Sequence, residues 1–177
     1  MNILGLVGSP RKQGNTDILV DQVLKGGASR GYAGEKIYLY DCQMSGCIDC
    51  RSCKTGDLVC VVKDGMQALY PKIDAADVVV FGTPVYFYGP TGKMKLLIDR
   101  LRPYTGSKKL KGKRAIIVAP SGVGARAADA LVMMCTKSFE YLGMQVVDKL
   151  LPAASGKGDI QQKPDELKRA YDLGAGL

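Results

Sequence analysis

Residues 1–16 read M-N-I-L-G-L-V-G-S-P-R-K-Q-G-N-T, and the change of character at Gly8 decides the fold. Residues 1–7 are apolar nearly throughout, as a strand covered on both faces must be. Gly, Ser and Pro then end regular structure, and from Thr16 to about residue 29 Ile18, Leu19, Val23 and Leu24 recur on one helical face. Strand, glycine loop and helix in that order form the opening of a βαβ unit, and the alternation repeats down the chain. Further strands are predicted at 36–40 (K-I-Y-L-Y), 77–82 (D-V-V-V-F-G), 114–120 (R-A-I-I-V-A-P) and 144–151 (M-Q-V-V-D-K-L-L). Helices are predicted at 64–75, with a kink at Pro71, and at 92–102, 125–142 and 164–173. Pro164 suits a first helical turn and Gly174 a C-terminal cap.

Strict alternation of buried strands and helices implies a parallel sheet built by right-handed crossovers. Five such units in 177 residues fit a flavodoxin-like doubly wound α/β fold, strand order 2-1-3-4-5, better than a six-stranded dinucleotide-binding sheet. In either case ligands belong at the carboxyl ends of the strands. The length suits one domain, residues 1–177, with residues 42–62 a cysteine-rich loop inserted after strand two. No apolar run approaches the roughly 18 residues of a membrane span. The N-terminus lacks the cationic region of a targeting peptide, so a cytoplasmic location and no membrane partner are expected. A formal net charge of +8 favours anionic partners, whether a phosphate cofactor, a nucleic acid or an acidic protein. The one basic block, Lys108 to Arg114, falls between predicted elements and reads as a solvated loop rather than a nucleic-acid patch.

The loop G-S-P-R-K-Q-G-N-T runs straight into the first helix. A helix N-terminus presents free N–H groups and a partial positive charge to an anion. Ser9, Asn15 and Thr16 add donors, Arg11 adds a guanidinium, and Gly14 permits a tight turn. The loop lacks the Gly-Lys-Ser/Thr ending of a nucleotide-hydrolysing site, so capture of a monophosphate fits it best. The alternative is a turn that Asn15 or Thr16 merely caps. A second loop, G-T-P-V-Y-F-Y-G at 82–89, puts aromatic side chains at a strand end, where they could wall a planar ring or fill a core or subunit interface. A third, Gly122 to Ala127, fits a loose G-x-G-x-x-A dinucleotide pattern, but the first βα turn already holds a better phosphate loop.

The chain has no histidine, which excludes Cys-His and Ser-His nucleophiles, histidine metal ligands and histidine proton shuttles. Four of its six cysteines, Cys47, Cys50, Cys53 and Cys60, form C-x2-C-x2-C-x6-C. Three thiolates at two-residue gaps with a more distant fourth suit an iron–sulfur centre, whereas zinc more often takes two separated C-x-x-C knuckles. Both metals, and a free thiol cluster, stay open on spacing alone. Cys42 reads as a core residue or a redox-active extra, and Cys135 as a packed small hydrophobe.

Over most of residues 1–150 the sequence resembles the NADPH-dependent FMN reductase superfamily of flavodoxin-like flavoproteins. The resemblance lies in G-S-P-R-K-Q-G-N-T, in Gly82 to Gly89, and in K-M-K-L-L-I-D-R at 93–100. The position and spacing of the cysteines are similar to those of its iron–sulfur flavoprotein branch. By that resemblance FMN would sit on Ser9, Arg11, Gly14, Asn15 and Thr16, with Pro84, Val85, Tyr86, Phe87, Tyr88 and Gly89 bordering the isoalloxazine. Ser121, Gly122 and Gly124 would supply a third edge. The four cysteines would hold a [4Fe-4S] cluster, with zinc the alternative, and the cofactors rather than any catalytic side chain would carry the chemistry. On charge alone, Arg51, Lys54 and Lys63, which flank the thiolates in sequence, would raise the potential of such a cluster. The resemblance further implies an electron-transfer oxidoreductase, a homodimer or homotetramer in which one subunit's cluster serves a neighbour's flavin. Ferredoxin or NAD(P)H would be the donor, and a quinone, an oxygen species or another carrier the acceptor. Two rivals remain: an NAD(P)H-dependent FMN or quinone reductase without a cluster, and a zinc-stapled nucleic-acid-binding module.

Overall fold

The computed structural model describes residues 1–177. Five parallel strands, β1 (Asn2–Val7), β2 (Ala33–Tyr38), β3 (Val78–Gly82), β4 (Arg114–Val118) and β5 (Gln145–Leu150), form one sheet in the order β2-β1-β3-β4-β5. This is the predicted flavodoxin-like topology. The three central strands are buried almost end to end, whereas the edge strands β2 (A-G-E-K-I-Y) and β5 (Q-V-V-D-K-L) carry charge and are largely accessible. Edge strands that carry charge discourage pairing with a second sheet.

Helices α1 (Asn15–Ala28) and α6 (Pro164–Ala175) cover one face, over Ile3, Val7, Val78, Val80, Ile116 and Val118. They approach closely because glycines meet there. A Cβ on Gly26 would lie 2.0 Å from the Tyr171 carbonyl oxygen, and one on Gly174 would lie 1.9 Å from that of Val23. The other face carries α2 (Met66–Ala75), α3 (Gly92–Asp99), α4 (Tyr104–Ser107) and α5 (Asp129–Tyr141), over the larger core. There Phe81 stacks on Phe139 with ring centroids 4.0 Å apart, and Cys135 is a buried core residue, as expected.

Three boundaries differ from the sequence reading by three residues or more. β2 begins three residues earlier than expected and gives way at Leu39 to a short 3-10 turn. The expected helix 92–102 stops at Asp99 and resumes as α4, because Pro103 disfavours a helical conformation at the residue before it. The expected helix 125–142 begins at Asp129, after a 3-10 turn over Gly124–Ala127. No helix is long and apolar enough to cross a membrane.

Candidate flavin pocket and cysteine loop

The carboxyl ends of β1, β3, β4 and β5 surround a cavity of about 260 Å³. Its floor is the loop before α1. Gly14 is the N-cap of that helix and no side chain caps it, so Asn15 and Thr16 stand in the first turn with its N–H groups open to the cavity. The capped-turn alternative is therefore not what forms. Asn15 instead ties the floor to the loop after β5: its Nδ2 donates to the Gly156 carbonyl at 2.8 Å, and its Oδ1 accepts from the Ile160 N–H at 3.1 Å. The buried Ser9 hydroxyl accepts from the Arg11 N–H at 3.2 Å. A Cβ on Gly14 would lie 2.8 Å from the Arg11 carbonyl, so this turn needs glycine.

Asp17, buried beneath the loop, fixes its shape. Its carboxylate accepts from the Gln13 N–H at 2.6 Å, from Lys36 Nζ at 2.7 Å and from the Tyr38 hydroxyl at 2.9 Å. Gln13 is held with φ near 58°, a left-handed conformation unusual for a residue with a side chain. Burial alone would raise the Asp17 carboxyl, but Lys36, Gln13 and Tyr38 outweigh it and hold it below the ordinary carboxylate range.

The wall after β3 is fastened by two buried threonines. Thr91 Oγ1 donates to the Gly8 carbonyl at 2.5 Å and caps α3 by accepting from Met94, while Thr83 Oγ1 accepts the Thr91 N–H at 3.0 Å. Ser121 Oγ, in the wall after β4, donates to the Gly124 carbonyl at 2.9 Å. Ten expected residues line the cavity: Ser9, Arg11, Gly14, Asn15, Thr16, Pro84, Val85, Tyr86, Ser121 and Gly122. Phe87, Tyr88, Gly89 and Gly124 do not. Tyr86 and Gly89 exchange backbone hydrogen bonds of 2.8 and 3.0 Å across a two-residue turn, placing Phe87 and Tyr88 at its tip with φ of 48° and 63°. Phe87 is fully exposed there. Pro120, Ala154, Ser155 and Lys157 line the cavity without having been anticipated. The small-residue and lysine run S-G-K-G at 155–158, just past a strand end, was the signal for the last two.

The cysteines lie elsewhere. Cys47, Cys50, Cys53 and Cys60 line one small cavity of about 20 Å³ against Asp99, Arg100, Arg102 and Pro103, sharing no residue with the strand-end cavity. No three of the acidic and thiol side chains approach closely enough to form a metal-holding group. The loop is irregular: its one ordered turn is Ser52–Lys54, and Asp49, Arg51 and Leu58 are left-handed. Cys53 is buried, and burial, with Cys60 and Cys47 nearby, pushes its thiol up; hydrogen bonds from Ser52 pull the exposed Cys50 thiol down. Cys42 is half-buried against the core and outside this set.

The fold has counterparts among known proteins. The family model described as NADPH-dependent FMN reductase matches residues 1–158. The chain belongs to that family. It is a flavin-dependent oxidoreductase, and its curated relatives put it in the iron–sulfur flavoprotein branch. An iron–sulfur flavoprotein of Methanocaldococcus jannaschii is 32% identical over 182 residues, covering 98% of this chain and 94% of its own. One from Archaeoglobus fulgidus is 36% identical over 126 residues, covering 70% of this chain but only 56% of its own. Among solved structures, the Trp repressor binding protein from Bacillus subtilis superposes with a TM-score of 0.73 at 23% identity, covering 97% of this chain and 96% of that one. A flavone reductase gives 0.75 at 22% identity, over 99% of this chain and 61% of its own. At such identities these two likenesses speak for the fold alone.

Proposed function

We propose that this chain is a two-centre electron carrier, with FMN on the loops after β1, β3, β4 and β5 and a [4Fe-4S] cluster on Cys47, Cys50, Cys53 and Cys60. The observation that carries this is the convergence of four strand-end loops on one cavity floored by an uncapped helix N-terminus. The FMN phosphate belongs at the first turn of α1, where Ser9, Arg11, Asn15 and Thr16 surround it. The isoalloxazine belongs between Pro84–Tyr86 and Ser121–Gly122, and Lys157 adds a cation at the rim. The four thiols suit the cluster as a donor set: all sulfur, all on one loop and all facing one cavity. That cavity holds about one water molecule, so the loop would have to rearrange for the four thiolates to hold the cluster. When bound, flavin takes two electrons together while the cluster passes one at a time, so the pair couples one-electron and two-electron partners.

The protein binds, orients and insulates. The helix α3 serves as the strut between the centres: its Thr91 cap is bonded to Gly8, next to the cavity-lining Ser9, and its last residue, Asp99, lines the cysteine cavity. Eight helical residues rise about 12 Å. The donor is ferredoxin or NAD(P)H, the acceptor a small molecule or carrier protein, and the working form a homodimer or homotetramer in the cytoplasm. A second reading, an NAD(P)H-dependent FMN or quinone reductase with zinc or free thiols, is favoured by the spread of the four cysteines. An absorbance spectrum of anaerobically purified protein, with FMN, iron, sulfide and zinc assayed on one sample, decides between them. FMN with about four irons and four sulfides per chain is the expected result. FMN without iron after reconstitution supports the second reading, and no flavin overturns both.

A further inference from the structure

Beside the cysteine cavity stands a cation buried more deeply than any other charged side chain of the molecule. Arg100, just past α3, is 1% exposed and lines the cavity together with all four thiols. A guanidinium has five N–H donors. Nη1 donates to the Ser45 carbonyl at 2.9 Å and to Asp64 Oδ2 at 2.8 Å; Nη2 donates to Asp64 Oδ1 at 3.1 Å and the Val62 carbonyl at 3.4 Å. Ser45 lies two residues before Cys47 and Val62 two residues after Cys60, so this one side chain grips both ends of the cysteine loop. Its fifth donor, Nε–H, is buried without any partner.

A buried donor left unsatisfied is costly unless an acceptor completes it, and Asp64, which balances the guanidinium charge through Nη1 and Nη2, does not reach Nε. Four thiolates with inorganic sulfide form such a partner, rich in sulfur acceptors whose hydrogen bonds and nearby charges set the reduction potential. The exposed cations of the loop, Arg51, Lys54 and Lys63, are screened by solvent and salt, whereas Arg100 is not. Resting on the cluster reading above, we infer that Arg100 is the positioning and tuning residue of the sulfur centre. It clamps the loop's entry and exit, offers Nε–H to the bound sulfur, and raises the centre's potential through a buried positive charge that Asp64 partly offsets.

The test is a redox titration of the reconstituted holoprotein, followed by electron paramagnetic resonance, on wild type, R100Q, R100K and D64N, with iron per FMN measured on each. Loss of the cation disfavours the added electron, so R100Q shifts the midpoint potential down. D64N removes the offsetting negative charge and shifts it up, and R100K, which keeps a charge but no Nε–H, falls between R100Q and wild type. Lys54→Glu, on the exposed surface, shifts it less than R100Q. A purely structural clamp instead lowers iron content in R100Q and D64N alike without opposite shifts, and that result, or no shift in either, overturns the inference. Should R100Q fail to hold its fold, the direction in D64N decides: upward supports, unchanged or downward refutes. A wild type that takes up no iron overturns the cluster reading and this one with it; iron-loaded wild type with unshifted variants overturns this one alone.

Discussion

The phosphate loop and the cysteine loop each hang on one aspartate shielded from water, and they differ in what surrounds it. Asp17 ties Gln13 to Lys36 and Tyr38; Asp64 accepts from Ser45, Met66 and Arg100. The loop before α1 is also bonded to the end of β3 at Gly82, to Thr91 at the start of α3 and to the loop after β5, so its donors already point into a cavity. Between Ser45 and Val62 the cysteine loop has little regular structure, and its thiols face a space for about one water. Strand ends and a helix start can preform an anion site, because the backbone that builds the fold also supplies the donors. A thiolate site has no such scaffold, and on the proposed reading its ligands would come together only as metal binds.

Cutting the proposed metal ligands strains this contrast hardest. Cys53→Ser with Cys60→Ser lowers iron uptake at least ~10-fold, a cost of about 1.4 kcal/mol or more in metal binding, and leaves FMN content unchanged; iron and flavin assays on one sample check it. If flavin is lost as well, the two sites are not independent.

Gly14→Val makes the converse cut. With a Cβ 2.8 Å from the Arg11 carbonyl, the phosphate turn opens and FMN affinity falls at least ~10-fold by fluorescence titration, while iron uptake persists.

Acid should attack both loops through their aspartates. Asp17 and Asp64 are held below the ordinary carboxylate value of 3.8 in the folded chain, despite burial that opposes this. Their contribution to stability is therefore present above that value and is lost as pH falls through the folded values. Urea unfolding of the apoprotein across the range from about pH 6 to pH 2.5 should show stability falling below about pH 4. The slope should be shallower in D17N and in D64N, and an unchanged slope in both would assign the acid limb to other groups.

The smallest effect is expected at the tip of 86–89. Phe87 and Tyr88 occupy the left-handed positions of a turn that prefers Asn-Gly, so the double replacement F87N/Y88G should stabilise the chain by about 1 kcal/mol in thermal unfolding. FMN affinity should stay within about twofold; a larger loss would return these aromatics to the flavin site.

Much of this was legible in the sequence because it is local. The apolar runs at 1–7, 77–82 and 114–120 are continuous because their strands are covered on both faces, and the loop before Thr16 announces itself by glycine, serine and proline. The edge strands were harder, since A-G-E-K-I-Y is half polar, and β2 accordingly starts earlier than its pattern suggests. Asp17 and Arg100 were missed: each sits at an ordinary place in an amphipathic segment, and nothing local marks it as buried.

Order along the chain fixed which residues stand at strand ends, because alternating β and α segments admit few right-handed parallel arrangements. What only the tertiary structure decided is which groups meet across distance. Asn15 reaches the loop after β5, Thr91 reaches Gly8, and Arg100 closes the two ends of the cysteine loop. Those contacts depend on side-chain direction and desolvation inside a packed interior, quantities that no spacing of residues encodes by itself.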